Sequence, residues 1–185
     1  SKIKQVVKLI KAGLLEEAVR LGREALKADP GNVYGYAVLA GALHKSGDKK
    51  SAFEVMGKGV RLLETDESYL GPKLDTLLSW LPDDADRGVV SKLKAQADRL
   101  VSDHPDQFYN KLLLRIAARG WHDTAVRAAR AMPGATLWEI FKHPLTSEGL
   151  AGSVMAKLIA AKSRETAAAL AARVAEEAEK NKSYF

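Results

Sequence analysis

The sequence predicts an all-α fold in which antiparallel helical hairpins stack against one another. Three observations lead there. Alanine, leucine and lysine are abundant in the 185 residues while aromatics make up 6%, a balance that favours helix over strand. One short pattern occurs three times, a glycine followed five positions later by an alanine with polar residues between: Gly13 and Ala18, Gly47 and Ala52, Gly120 and Ala125. Gly13 and Gly47 lie 34 positions apart, and self-similarity at such a period marks a solenoid of stacked units.

Each glycine follows an apolar helical stretch, at residues 6–10, 36–43 and 112–116. Glycine adopts the left-handed conformation that ends a helix without a Cβ penalty, so a turn is expected at each. Asp48 is placed to cap the following helix, and Glu16 and Glu17 suit a first turn. Ala18, Ala52 and Ala125 are expected where the second helix of each pair approaches the first most closely, because a larger side chain there would hold the two apart. Pro30-Gly31 and His104-Pro105 then break the chain between hairpins.

Recognisable hairpins are therefore expected over 2–32, 33–66 and 106–133, the last with a short second helix ending at Met132-Pro133-Gly134. Between them, 67–105 reads as a degenerate hairpin: a helix at 69–81, a turn at Pro82-Asp83-Asp84, and a second helix at 85–101. Residues 135–185 read as a C-terminal cap. It opens with a short helical stretch at 137–141 before Pro144, then an alanine-rich run at 150–180 interrupted at Lys162-Ser163-Arg164, with Ala167 in the close-approach role. This tail is a fifth hairpin or one long helix. The whole chain is expected as one domain.

The pattern resembles tetratricopeptide repeats. The match is best over 33–66, where Tyr36, Leu39, Ala40, Leu43, Gly47, Ala52 and Met56 stand at the consensus positions and Gly59 replaces the usual alanine. Residues 2–32 match through Gly13, Ala18, Ala25 and Pro30, and 106–133 through Tyr109, Leu112, Ile116, Gly120 and Ala125. The resemblance implies a right-handed superhelix of four to five hairpins whose first helices line a concave surface.

Catalytic and metal chemistry is not legible. Cysteine is absent, which removes disulfides and thiolate metal sites. None of His44, His104, His122 and His143 has a histidine or cysteine at i+3 or i+4, so no helix presents a zinc pair. Gly152-Ser153-Val154 lacks the second glycine of a nucleophile elbow, and no phosphate-cradling glycine loop occurs. Asp83, Asp84 and Asp86 follow Pro82 ahead of a helix and read as caps rather than acid–base groups. Trp80, Trp121 and Trp138 read as core wedges rather than stacking platforms. No cofactor, metal or enzymatic activity is expected.

Groove-facing positions, mapped from the resembled family, are Ile3, Val7 and Ile10, then Tyr34, Ala37, Gly41, His44 and Lys45, then Gln107, Asn110, Leu114 and Ala117. Members that clamp a peptide carboxylate carry lysines, arginine and asparagines at such places; Val7, Ala37 and Val38 stand here instead. The expected groove is small and apolar, suited to an amphipathic helix or apolar peptide. Its occupant would be another protein, this chain's own tail or a second copy, since a large bare apolar patch is unusual on a monomer.

The leading expectation is a non-catalytic protein-interaction module, with self-association open. A second reading is a repeat region cut from a larger enzyme such as a transferase. A third is nucleic-acid binding. The formal charge is +6, and Lys111, Arg115 and Arg119 share one helix face, joined by Arg127 and Arg130. Basic and acidic residues interleave along most of the chain, which favours a solvated face. No apolar run approaches the roughly 20 residues of a membrane span. A cytoplasmic location is expected, although a chain beginning at Ser1 leaves a removed signal or an upstream domain open.

Overall fold

The computed structural model describes residues 1–131 and the single positions 168, 172 and 179. Among them all regular structure is helical. The expected helix at 137–141, Trp138, Ser153, Ala167 and, apart from positions 168, 172 and 179, the rest of the alanine-rich cap lie outside the described residues. The chain divides into two compact units, Ser1–Gln96 and Ala97–Phe185.

In the first unit α1 (Lys2–Lys11) and α2 (Leu15–Ala28) form one antiparallel pair and α3 (Val33–Lys45) and α4 (Lys49–Thr65) a second. Helix α5 (Leu70–Trp80) follows and packs on both α3 and α4. Helix α6 (Arg87–Asp103) crosses the division between the units. In the second unit a 3-10 turn (Pro105–Gln107) leads to α7 (Asn110–Ala118) and α8 (His122–Ala131), which pair with each other. These bounds match the sequence expectation to within two residues at 69–81 and 85–101.

The three glycine turns share one geometry. Gly13, Gly47 and Gly120 have φ of 77, 94 and 79°, in the left-handed region. In each, the glycine N–H donates to the carbonyl three residues back: Ile10, His44 and Ala117. The next N–H donates five residues back, Leu14 to Leu9, Asp48 to Leu43 and Trp121 to Ile116. This is the Schellman closure, which satisfies two carbonyls that the helix end would otherwise leave bare. Five residues beyond each glycine, Ala18, Ala52 and Ala125 are buried.

Helix starts follow local rules. The Ser51 N–H donates to Asp48 Oδ1 at 3.1 Å and the Gly35 N–H to Asn32 Oδ1 at 3.0 Å. The Ser51 hydroxyl and N–H together hold the Asp48 carboxyl below the usual carboxylate range. Helix α2 has no side-chain cap and carries Glu16 and Glu17 in its first turn instead. At the start of α5, Tyr69 takes a left-handed φ of 54° with its ring exposed. Pro72 sits in the first turn of α5, where its missing N–H costs nothing. Asp66 braces the turn before it: Lys73 Nζ donates at 2.7 Å, and with the Ser68 hydroxyl and N–H holds the carboxyl well below its usual range.

Helix α3 is the centre of the first unit, packing on α1, α2, α4 and α5. It buries Val33, Gly35 and every position from 37 to 43. Apolar around most of its circumference, the helix is enclosed by its neighbours on most sides, with Tyr34 left exposed.

Gly47 and Gly57 make a paired test of this account. An added Cβ at either would meet nothing within 4 Å, but Gly47 has positive φ while Gly57 is helical within α4. Gly47→Ala should lower the unfolding free energy by roughly 1 kcal/mol through left-handed strain. Gly57→Ala should raise it by about 0.5–1 kcal/mol through helix propensity. Urea unfolding of the two variants reads the opposite signs.

Candidate partner-binding surface

The expected groove positions of the first unit fall into two sets. Val7 is half-buried, Tyr34 is 42% exposed and Lys45 is exposed. Ala37 is fully buried, and Gly41 faces the indole of Trp80. A Cβ on Gly41 would overlap Trp80 Cε3 and stand 2.9 Å from Cζ3. The middle of the mapped groove is therefore closed within the chain itself, by a side chain at the end of α5. Trp80 is half-buried and acts as the expected wedge. Trp121 is 7% exposed, at the position just past Gly120 from which a Schellman turn folds an apolar side chain back onto its helix.

His44 joins a different structure. Its Nε2–H donates to Asp84 Oδ1 at 2.7 Å, the direction being fixed because an ionised carboxylate only accepts. Lys49 Nζ donates to Asp84 Oδ2 at 2.5 Å. The two donors, Lys49 first, hold the Asp84 carboxyl below its ordinary range. Asp84 thus ties the turn before α6 to the end of α3 and the start of α4. Asp86, not Asp84, caps α6, accepting from the Gly88 and Val89 N–H groups at 2.8 and 3.3 Å. Ring centroids of His44 and Phe53 are 6.1 Å apart.

In the second unit the side chains of Asn110, Leu114 and Arg130 lie outside what is described. Lys111 is exposed and Arg115 and Arg119 are half-buried; Arg119 stands one residue past the end of α7. Arg127 pairs with Asp98, which also accepts from the buried Thr124 hydroxyl at 2.6 Å. Asp106 and Asp123 are acids near the basic cluster in sequence, and the fold supplies Asp98 to Arg127 as well.

A surface that the sequence mapping did not include lies on the second-helix side of the first unit. Helices α2, α3 and α4 enclose an open furrow of about 390 Å³. Leu26, Tyr36, Leu39, Leu43 and Val55 supply its apolar lining, and Arg23, Lys27, Lys58, Ser51 and Glu54 its polar lining. Leu26 and Val55 are half-buried, so apolar surface remains in contact with solvent. Helix α2 approaches α3 closely here because Gly22 faces Leu39, whose Cδ1 would stand 3.0 Å from a Cβ at position 22. The Tyr36 hydroxyl is tied to the Pro30 carbonyl at 3.1 Å.

Among the described residues no group of three or more histidine, aspartate or glutamate side chains could hold a metal ion, and no helix is long and apolar enough to cross a membrane. No family model matches the chain, and neither a curated protein nor a solved structure does.

The Gly41–Trp80 contact has a direct test. Gly41→Ala should destabilise by roughly 1–3 kcal/mol, because the indole must move or α3 and α5 must part. In a Trp80→Ala background the same change should cost much less, the mark of a shared contact. Equal costs in both backgrounds, measured by urea unfolding, would show that Trp80 does not occupy that site.

Proposed function

We propose that this chain is a non-catalytic protein-interaction module of the tetratricopeptide type: a right-handed stack of four to five helical hairpins, with residues 135–185 as its cap. The observation that carries this reading is the triplicate turn. Glycines at positive φ, identical Schellman hydrogen bonds and buried alanines five residues on recur at 13, 47 and 120. Repeated supersecondary units that stack on their neighbours leave long, regular faces between helices, and such faces suit protein partners.

The side-chain chemistry is consistent with that role. The His44–Asp84–Lys49 triplet and the pairs Lys73–Asp66 and Arg127–Asp98 each join one structural element to another. With Gly41 beneath Trp80, partner binding falls to surfaces that remain open: the half-exposed margin around Val7, Tyr34 and Lys45, and the furrow on the second-helix side.

The test uses the whole chain as bait in cross-linked capture, followed by reconstitution from purified components. Calorimetry should show a saturable, stoichiometric complex, and mass spectrometry should show both proteins chemically unchanged. Failure of every captured protein to form such a complex, or turnover of the partner by the chain, contradicts the reading.

A further inference from the structure

We infer that the furrow between α2, α3 and α4 is a docking site for an acidic amphipathic helix of a partner protein. The inference rests on the reading of the chain as a protein-interaction module and names the partner's chemistry.

Three features carry it. The first is shape: the furrow is open to solvent and lined by Leu39 and Leu43, which are nearly fully buried, with half-buried Leu26 and Val55 beside them. The second is charge. Arg23, Lys27 and Lys58 line it against the single acid Glu54, and all four are exposed. Asp48 lies within Coulombic reach of Arg23 and Lys50, and each of these charges offsets another at that end. The excess of cations over acids on the lining therefore stands. The third is that these cations have no ion-pair partner among the described residues, whereas the neighbouring Arg20 is held by Glu24 at 2.6 Å.

Apolar floor and basic margin together select a ligand that is apolar on one face and carboxylate-bearing on the other. A helix fits better than an extended strand. The furrow is walled by helices, whose backbone groups are already paired, so an extended peptide would gain no main-chain hydrogen bonds there, while a helix brings its own. The lining runs from Tyr36 to Leu43 on α3 and from Ser51 to Lys58 on α4, which sets a docking length of about 12 Å, or roughly two turns of ligand. Nucleic acid fits poorly: base stacking needs an open aromatic face, and the one aromatic in the lining, Tyr36, is half-buried with its hydroxyl bonded to Pro30.

Fluorescence anisotropy with the full chain tests this. The probes are three labelled peptides of about four helical turns: a leucine–glutamate amphipathic helix, the same helix with lysine for glutamate, and a shuffled acidic control. The leucine–glutamate helix should bind saturably and one to one, and the other two weakly. The combined Arg23→Glu, Lys27→Glu and Lys58→Glu variant should weaken that binding by roughly tenfold or more, as expected for losing close charge pairs at a binding margin. The combined Lys4→Glu, Lys8→Glu and Lys11→Glu variant, which changes three exposed lysines of α1, should leave it within error. Circular dichroism verifies that both variants fold.

Lack of binding by the leucine–glutamate helix, equal binding of the lysine helix, or equal loss in the α1 variant overturns the assignment. So does a concentration-dependent dimer that the furrow variant abolishes, which would make the furrow a face between two copies. So does furrow reactivity blocked in the isolated wild-type monomer by its own C-terminal residues, seen as a cross-link from position 27 or 58 to the tail. If the furrow variant still captures the natural partner, the docking site fails while the interaction-module reading survives.

Discussion

Helix α3 can be approached closely by its neighbours because it is built largely from small residues. Gly35, Ala37, Ala40, Gly41 and Ala42 replace the bulky side chains that would normally separate helix axes, and all are buried. A Cβ at Gly35 would stand 2.8 Å from Leu26 Cδ2, and one at Gly41 would collide with the Trp80 ring. The neighbours reciprocate. Gly22 of α2 lies against Leu39, and Gly59 of α4 lies against the Tyr36 Cβ, with 3.0 Å left for a Cβ in each case. Large side chains on one helix thus enter the gaps left by glycines on the next. Interiors packed at crystal density tolerate neither voids nor extra methylenes. The enclosed α3 therefore fixes where α1, α2, α4 and α5 lie, and every exposed face of the first unit follows from it.

One consequence is functional. The resembled family would use the first-helix face, centred on Ala37 and Gly41, to receive a partner. Here that centre is part of the core, occupied by Trp80. A bulky residue at Gly41 would disturb the packing of α5 before it disturbed any ligand, so such a variant cannot report on binding alone. The open, partly apolar surface lies instead where α2 and α4 stand apart over Leu39 and Leu43.

What was legible in the sequence was local. Glycine at a helix end, an aspartate or asparagine before a helix and a proline between helices each act within a few residues, and the turns at 13, 47 and 120 and the caps Asp48 and Asp86 follow from them. Ala18, Ala52 and Ala125 were also readable, since their spacing from the turn decides their burial. The misreadings came from contacts between distant residues. Asp84 has a capping residue's neighbours in sequence, yet it bonds His44 and Lys49, 40 and 35 positions away. Trp80 lies 39 positions from Gly41, and no local pattern links them. One signal was available: in a helix as uniformly apolar as 33–43, the side that carries Ala37 and Gly41 is as fit for burial as any other. The furrow was missed because it is lined mainly by second helices, which the mapped family groove does not use.

Hydrogen–deuterium exchange tests the central role of α3 most directly. If α3 is the enclosed element on which the first unit depends, its buried amides open only when the unit unfolds. Their opening free energy should then equal the unfolding free energy of that unit measured by denaturant, with α1 and α5 opening at lower cost. Amides at positions 37–43 that exchange faster than those of α1 or α5 would contradict this account, because the helix said to hold the others would then be the looser one.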